Sequence, residues 1–387
     1  MKALIPSGLV PASLGSVVRS AAAALLLVSV SATALRAHET ASEALQRVIE
    51  APHQMTGVTV SEDGRVFVNF PRWTEDAPVS VAEVVDGQLK PYPDAEWNSW
   101  RNARKNELTP GDHWVCVQSV VADGKGNLWV LDPAAPATAF TVPEGPKLVR
   151  IDLKTNKVAQ TIAIPESVAP RYSYLNDVRF SPDGGYAYIS DSGANGALVV
   201  VGLQSGKSRR LLDGHPVMQP EKDVIVKHEG QPIRRPDGRG VEFANDSIAL
   251  SQDGATLYFK PLTGKTLYSI ATSVLTDEDA SAETVASAIR QDGDVGVTDG
   301  IWISKAGVLY LSSPEDDAVK VRAGGAVRTL IRDKRLRWPD TFSEGPDGAI
   351  YITTSRIQDM SWYKPESPNA LPTQLWRFDP QAVKPAE

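Results

Sequence analysis

Six polar residues recur at one position of a repeated segment, and their types suit the binding of a cation. When six similar segments are aligned on their turns, the position seven residues before each turn is polar every time. These residues are Thr56, Gln118, Asn176, Asp246, Asp299 and Asp340. The residues that follow them are mostly small: Gly57, Ser119, Asp177, Ser247, Gly300 and Thr341. If the segments converge, the small residues allow close approach and the polar side chains share one centre.

Carboxylates around a shared centre repel each other unless a cation, a proton or a ligand donor compensates. Asp, Asn and backbone oxygens are the ligands of a hard cation such as Ca²⁺. A protonated amine suits the same place when an aromatic ring is near, and Trp302 and Phe342 are close in sequence. Asp299 is the best candidate for a catalytic carboxylate. The structural alternative is that these residues only cap turns at strand ends.

The segments that carry these residues each have the pattern of a β-hairpin. They span residues 56–70, 118–132, 176–190, 246–260, 299–313 and 340–354. Apolar alternation surrounds a Gly-containing turn, mostly Asp-Gly, which is typical of a type I′ turn with positive φ at both central residues. A third strand follows each hairpin. Six such units at intervals of roughly 40–70 residues predict an all-β, six-bladed propeller.

The last blade needs a strand from the other end of the chain. The sixth unit stops after its third strand, whereas residues 45–50 precede the first hairpin just as residues 328–333 precede the sixth. We therefore expect the N-terminal strand to join the last blade, which closes the ring and covers an open sheet edge.

The first 34 residues have the pattern of a secretory signal peptide, with cleavage as late as residue 37. Lys2 and Arg19 precede a short apolar run, and Ala32-Thr33-Ala34 resembles a cleavage site. The run is shorter than the roughly 20 apolar residues of a membrane span, although an N-terminal anchor stays as the alternative. We expect a secreted or periplasmic protein, with residues 38–387 as a single propeller domain and no stable membrane span after cleavage.

Charge and motif content exclude several classes of function. The formal net charge of −7 disfavours nucleic acid and anionic lipid as partners. The five histidines form no HxxxH or HExxH pair, and there is no G-x-S-x-G motif. The single cysteine, Cys116, lies in an alternating segment at 113–120 that predicts a strand with a buried, unreactive thiol.

Three connections, at 90–115, 213–243 and 355–373, are longer than a compact repeat requires, which is typical of functional loops. Within 213–243, Arg234, Arg235 and Arg239 lie in a turn-rich loop, which is either a solvated surface loop or a lid that meets a substrate carboxylate. Residues 276–290 predict a short acidic surface helix.

Several phrases together resemble the major royal jelly protein / Yellow family. They are YPDAEWN (92–98), VQSVVADGKGNLWVLD (117–132), PKLVRIDLKTNKV (146–158), YLNDVRFSPDGGYAYISDSG (174–193), IALSQDGATLYFKPLTGKTLYSI (248–270) and RLRWPDTF (335–342). The resemblance implies a secreted six-bladed propeller. Insect members are linked to pigment chemistry on dopa-derived substrates, to amine binding at the channel mouth, or to nutrition. This chain lacks their cysteine pairs.

A more distant likeness to gluconolactonase-type propellers implies a divalent metal, Ca²⁺ or another, held by Asn, Asp and Glu. The matching positions here are Asn176, Asp246, Asp299 and Asp340, and no Glu of the first blade completes the set.

Three hypotheses follow from these observations. The first is a propeller that binds a small cationic or aromatic ligand over the polar positions, aided by the loop aromatics Trp97, Trp100 and Trp114. The second is a metal-dependent lactonase or ester hydrolase, in which Asp299 acts as general base on water. The third is a non-catalytic propeller that binds partners on its outer faces.

Overall fold

The computed structural model describes residues 44–74 and 76–383, and these form the six-bladed propeller predicted from the sequence. Each blade is a four-stranded antiparallel sheet. From the inner to the outer strand, the blades are blade 1 (β2 Val58–Val60, β3 Val66–Asn69, β4 Val81–Val85, β5 Gln88–Pro91), blade 2 (β6 Ser119–Ala122, β7 Asn127–Asp132, β8 Lys147–Asp152, β9 Lys157–Ala163), blade 3 (β10 Leu175–Phe180, β11 Tyr186–Asp191, β12 Ala197–Gly202, β13 Ser208–Leu211), blade 4 (β16 Asn245–Leu250, β17 Thr256–Pro261, β18 Thr266–Ala271, β19 Arg290–Asp294), blade 5 (β20 Ile301–Ile303, β21 Leu309–Ser313, β22 Ala318–Ala323, β23 Ala326–Arg332) and blade 6 (β24 Pro339–Glu344, β25 Ile350–Thr354, β26 Thr373–Phe378, β1 Gln46–Ala51).

The N-terminal strand β1 completes blade 6, as expected from the sequence. It pairs antiparallel with β26, with Ile49 opposite Leu375 and Ala51 opposite Thr373. The Thr373 hydroxyl strengthens this closure, because it accepts a hydrogen bond from the Met55 backbone N–H at 3.1 Å. The two ends of the described chain are therefore held in one sheet.

Apolar side chains of neighbouring blades form the core between them. Between blades 2 and 3, for example, Leu131, Leu148, Val178, Ile189 and Val199 are each no more than 1% exposed and belong to one cluster. Alternating apolar residues on each strand produce these faces, and each fully buried aliphatic side chain contributes about 1.5–3 kcal/mol. The blades thus form one rigid support for whatever lies at their inner ends.

Polar side chains on the second strands of blades 1, 3, 4 and 6 join the inner end of each to the next blade. The bonds run from Asn69 Nδ2 to Gln118 O (3.0 Å), from Ser190 Oγ to Asp246 O (2.5 Å), from Lys260 Nζ to Thr298 O (3.4 Å) and from Thr353 Oγ1 to Thr56 O (2.5 Å). Each acceptor belongs to one of the six aligned polar residues or to the residue before it. Close approach of the blades also requires a small residue, since a Cβ on Gly300 would lie 2.2 Å from Asp340 O.

The hairpin turns differ from the type I′ prediction. Gly64 has φ +85°, but Asp63 before it does not have positive φ, and Ser61 N–H bonds to Arg65 O at 2.9 Å across a three-residue loop. Only one position therefore needs the left-handed region, as in a type I turn followed by a glycine bulge. The Asp side chain instead accepts a hydrogen bond from the Ser61 hydroxyl. The prediction of hairpins was correct, and the prediction of their turn type was wrong.

The segment predicted as one helix at 276–290 is divided. Helix α1 spans Thr272–Thr276 and helix α2 spans Ala282–Ser287, with the Ser281 hydroxyl capping α2. Short 3₁₀ turns lie at Asn102–Arg104, Pro110–Asp112, Pro136–Thr138, Pro216–Met218 and Ile357–Asp359, and a small hairpin pairs β14 Lys227–His228 with β15 Gln231–Pro232. The long connections thus contain local structure of their own.

Cys116 is buried, as the sequence predicts, but it does not lie in a strand. The residue is fully buried, and this burial raises the pKa of its thiol to about 12. However, β6 begins only at Ser119. The Asp132 carboxylate accepts hydrogen bonds from the backbone N–H groups of Val115 and Cys116, at 2.7 and 2.9 Å, which replaces a strand ladder there.

The predicted signal peptide lies outside the described residues. Across 44–74 and 76–383, the chain contains no helix with the length and apolar character needed to cross a membrane.

Candidate functional site

Hydrogen bonds join three of the aligned polar residues in the order of their blades, and a fourth lies beside them. Gln118 Nε2 donates to Asn176 Oδ1 at 3.2 Å, and Asn176 Nδ2 donates to Asp246 Oδ2 at 2.7 Å. Asp246 also interacts with Asp299, and repulsion from Asp299 raises the pKa of Asp246. We call these four residues and Asp340 the polar ring.

The carboxyl groups of the polar ring are buried, and burial controls their charge. Asp246, Asp299 and Asp340 are 6–7% exposed. Burial raises the pKa of Asp299 to about 7. Burial, followed by repulsion from Asp299, raises the pKa of both Asp246 and Asp340 well above the usual range. The ring is therefore partly protonated near neutral pH.

The other two predicted site residues lie apart from this network. Thr56 forms a hydrogen bond within blade 1, since its Oγ1 accepts from Asn69 Nδ2 at 3.0 Å. Asp177 follows Asn176 on β10, and its charge helps to raise the pKa values of Asp246, Asp299 and Asp340. It accepts from Arg179 NH2 at 3.0 Å and from the Ser119 hydroxyl at 3.3 Å.

Arg179 closes the channel below the polar ring. Besides Asp177 of its own blade, its guanidinium donates to Ile301 O in blade 5 at 3.0 Å, and so it bridges the channel. It also lines a cavity of about 280 Å³ between the turn-side halves of the inner strands. Sequence reasoning missed this residue, because nothing in the repeat marks the position as facing inward across the channel.

Lys260 supplies a positive charge that the sequence analysis also missed. The side chain is fully buried and donates to the carbonyl oxygens of Pro261 at 2.7 Å and Thr298 at 3.4 Å. Burial lowers its pKa to about 8, while Asp246 and Asp299 act against that shift. In blades 3 and 5 the equivalent positions hold Ser190 and Ser312. Only a comparison of strand register would have singled out the lysine.

An apolar cluster, which we call the roof, covers the other side of the ring. It combines the connections at 213–243 and 355–373, through residues such as Ile233, Val241 and Met360, with buried aromatic residues near the ring. Two of these aromatic residues contact the ring directly. Trp338 Nε1 donates to Asp299 Oδ2 at 2.5 Å, and Tyr174 OH donates to Gln118 Oε1 at 2.8 Å.

Further aromatic residues extend the roof away from the ring. Trp73 Nε1 donates to Tyr174 OH at 2.5 Å, and the rings of Trp73 and Trp362 lie 5.4 Å apart. Arg235 packs over Trp362 and Tyr363, at 5.6 Å from each ring centre. Of the three arginines considered as a lid, Arg235 thus joins the two halves of the roof. Arg234 and Arg239 bond within their own loop, to Gly238 O and Asp237 respectively.

The aromatic residues expected from sequence lie elsewhere. Trp302 and Phe342 pack with Tyr310 between blades 5 and 6. Trp97 stacks on Trp114, with ring centres 4.3 Å apart, and Trp100 is fully buried in a separate small cluster. These side chains fill apolar cores because hydrophobic burial dominates their placement. The aromatic partners of the ring are Trp338 and Tyr174 instead.

The arrangement of oxygen donors does not fit a divalent cation. Among the described residues, no three His, Cys, Asp or Glu side chains gather as a metal-binding group. Asn176 directs its oxygen to Gln118 and its NH₂ to Asp246, while Asp299 receives the Trp338 N–H. The donors thus bond to each other rather than facing a common point.

The fold and the ring define a six-bladed propeller with an acidic centre under an aromatic cover. The family model described as major royal jelly protein matches residues 115–326, which is more than half of the chain. The chain therefore belongs to the major royal jelly protein family.

Individual relatives are distant. Protein yellow of Drosophila pseudoobscura pseudoobscura is 28% identical over 237 residues, which cover 55% of this chain and 39% of that protein. Major royal jelly protein 5 of Apis mellifera is 25% identical over 271 residues, or 66% of this chain and 42% of that protein. The matches thus span about two fifths of these relatives. A solved gluconolactonase from Xanthomonas campestris matches with a TM-score of 0.52 and 14% identity, covering 87% of this chain and 89% of that one, which shows a shared fold alone.

Proposed function

We propose that this propeller binds a small ligand, one that carries both a protonated amine and an aromatic ring, at the polar ring. The observation that carries the proposal is the contact between Trp338 and Asp299, which places an aromatic side chain beside a buried carboxyl group. Carboxylates attract an ammonium group, and an indole face adds a cation–π attraction of about 0.5–2 kcal/mol. A carboxyl group beside an aromatic side chain therefore suits a ligand that carries both an ammonium group and an aromatic ring.

The charge balance of the ring supports a cationic ligand. Lys260 is the buried cation beside Asp246 and Asp299, while the partly exposed Arg179 pairs with Asp177. Burial, together with repulsion among the carboxyl groups, raises the pKa values of Asp246, Asp299 and Asp340. An ammonium group supplies a positive charge, so its binding lowers the pKa of the ring carboxyls and releases protons to solvent.

Access to the ring requires movement of the roof. The ring carboxyls are 6–7% exposed and the tryptophan above Asp299 is fully buried, so a ligand reaches them only when the covering segments separate. The enclosure strengthens electrostatic attraction inside, because water is excluded. It also makes association slower than the 10⁵–10⁷ M⁻¹s⁻¹ or so that is typical of an open surface.

Calorimetric titration with a panel of biogenic amines, including tyramine and phenethylamine, tests the proposal. We expect saturable heat for at least one aromatic amine, with proton release that appears as a dependence of the heat on the buffer. The uncharged analogue with a hydroxyl in place of the amine is the control and should bind much more weakly. A folded protein that gives no heat with any amine would contradict the proposal.

We also propose that the chain is exported, on the strength of the leader in its first 34 residues. Expression of the full chain with cell fractionation and N-terminal sequencing of the mature product tests this. Cleavage between residues 34 and 38 supports export, whereas an uncleaved, membrane-attached product supports an N-terminal anchor.

The hydrolase and partner-binding hypotheses make different predictions. A metal-dependent lactonase should contain close to one equivalent of a divalent metal by elemental analysis, and it should lose lactone hydrolysis on chelation. A propeller that acts through its outer faces should retain partner binding when ring residues are changed. The interlocked donors of the ring favour amine binding over the metal-dependent reaction.

A further inference from the structure

A second pocket, lined by none of the polar-ring residues, contains three basic side chains. It has a volume of about 700 Å³, and its charged lining consists of Arg337, Arg356, Lys364, Asp359 and Glu366. Ligand pockets commonly have volumes of roughly 300–1,000 Å³, so the space suits a small molecule. Arg356 and Lys364 belong to the connection at 355–373, and Arg337 precedes β24.

One buried carboxylate is shared by all three cations. Asp359 is 3% exposed and accepts from Arg337 NH2 at 3.1 Å and from Lys364 Nζ at 2.5 Å, and the Arg337 Nε also donates to it. These cations hold the pKa of Asp359 below its usual range, against the opposing effect of its burial. The carboxylate is therefore charged and has both oxygens occupied.

Arg356 pairs less closely with Asp359 than Arg337 and Lys364 do. Its closest approach to the carboxylate is 3.8 Å, which is an ion pair without a hydrogen bond. Its Nε is buried and has no hydrogen-bond partner among the described residues, although the side chain is only 20% exposed. The backbone of Arg356 is in the left-handed region, with φ +52°, which residues other than glycine rarely adopt. The local structure thus holds a guanidinium at the pocket with donors to spare.

Two further acidic groups near the pocket are exposed to solvent. Glu229 lies 3.9 Å from Arg337 and is 63% exposed, and Glu366 is exposed at the rim. Solvent screens both of them, whereas Arg356 and Asp359 lie deeper. A guanidinium with free N–H groups is the usual partner of a carboxylate or a phosphate.

We propose that this pocket binds the phosphate group of a small phosphomonoester. Three cations at one pocket match the doubly charged phosphate better than a singly charged carboxylate. The terminal N–H groups of Arg356, which make no hydrogen bond among the described residues, donate to the phosphate oxygens, and Arg337 and Lys364 contribute positive charge. The space beyond the phosphate accommodates the organic part of the ester. This site does not depend on amine binding at the polar ring.

Calorimetric titration of the full chain with inorganic phosphate and with glycerol 3-phosphate tests the proposal. We expect both to bind, the ester more tightly, and both to raise the melting temperature of the protein. Free phosphate that binds as tightly as the ester would overturn the assignment to a phosphomonoester. Malonate is the carboxylate probe, and binding of malonate in preference to both phosphates would overturn the phosphate class.

Variants then locate the site. Arg356→Gln should weaken binding of glycerol 3-phosphate at least about tenfold, and Arg356→Lys, which keeps the charge but loses the two terminal NH₂ groups of the guanidinium, should restore it only in part. Lys364→Gln, at a side chain that is 47% exposed, should have a smaller effect in the same direction. Arg332→Gln, at an arginine that is 62% exposed on blade 5, is the matched control and should change nothing.

Two further measurements separate this proposal from a folding defect and from the ring. Because Arg356 makes no side-chain hydrogen bond among the described residues, its variants should melt close to the parent protein without phosphate. Asp299→Asn should leave phosphate binding unchanged. Equal affinity of the parent and Arg356→Gln, or no binding of any phosphate by folded parent protein, would overturn the proposal.

Discussion

Trp338 donates its indole N–H to Asp299 Oδ2 at 2.5 Å, and this bond, like that from Tyr174 to Gln118, joins the roof to the polar ring. The bond lowers the pKa of Asp299, while burial raises it more, and the balance lies at about 7. The carboxyl group therefore changes charge in the physiological range. A ligand ammonium that enters here meets a titrating carboxyl and an aromatic side chain at once.

The Asp299→Asn variant should bind an aromatic amine about tenfold more weakly, because it loses one carboxylate worth about 1.4 kcal/mol. Calorimetry with the best amine of the panel measures this. A role in capping alone predicts unchanged amine binding and a loss of about 1 kcal/mol in stability. Thermal melts with and without Ca²⁺ complete the test, since a lower melting temperature that no cation alters would mean that the aspartate only ties down a strand end.

The same variant should change how stability depends on pH. Because the folded-state pKa of Asp299 lies above the value of about 3.9 in the unfolded chain, the folded protein holds the proton more tightly. The resulting stabilisation is present below about pH 4 and is lost as the pH rises toward 7. Asn does not titrate, so the melting temperature of Asp299→Asn should fall less over this range. A parent protein that gains stability from about pH 5 to pH 7 would contradict the raised pKa.

Replacing Lys260 with Ser should strengthen amine binding and weaken the fold. The substitution removes a buried positive charge near Asp246 and Asp299, so a cationic ligand should bind roughly three- to tenfold more tightly. Ser is the residue at the equivalent position of blade 3, but the lost volume should cost about 2 kcal/mol. Calorimetry and denaturant melts measure the two effects. Lys305→Ser, at an exposed lysine, is the control, and an amine affinity that falls in Lys260→Ser would contradict a net attraction by the ring.

Replacing Trp338 with Phe should shift the pH dependence of amine binding upward. Phe keeps an aromatic face but loses the N–H that lowers the pKa of Asp299, so the pH of half-maximal binding should rise by about one unit. Titrations at a series of pH values measure the shift. Trp376→Phe is a matched control, since the N–H of Trp376 is buried without a hydrogen-bond partner in the described part of the chain. Equal shifts in both variants would show that the bond to Asp299 is not the cause.

Replacing Arg235 with Ala should speed up ligand exchange. Arg235 packs on Trp362 and Tyr363 and so joins the two halves of the roof. Its loss should raise the association and dissociation rates together, with little change in affinity. Stopped-flow fluorescence of the roof tryptophans measures both rates. Arg239→Ala lies in the same loop but pairs with Asp237, and it should leave both rates as they are.

The repeat in the sequence predicted the blades, their number and the closing strand, because hairpins with alternating apolar faces leave few other arrangements. It also indicated that polar residues begin the inner strands, and the structure links Gln118, Asn176, Asp246 and Asp299 side by side. Whether they bind a ligand stays a prediction.

The features missed from sequence depend on contacts between distant segments. Lys260 occupies a position held by Ser in other blades, so its charge has meaning only once the strand register is known. Trp338 lies two residues before Asp340, yet it bonds to Asp299 of the preceding blade. Trp302 and Phe342, which are close to the ring in sequence, are drawn into the apolar core between blades. Proximity in sequence therefore did not identify the aromatic partners of the ring.

A crystal structure of the protein soaked with the best-binding amine tests the central claim most directly. We predict that the ammonium group lies about 3 Å from carboxyl oxygens of the polar ring and that the aromatic ring of the ligand packs against Trp338. An amine bound elsewhere would contradict the account. So would a divalent cation at the centre of the ring, coordinated by Asp246 and Asp299, with the Trp338 N–H turned away.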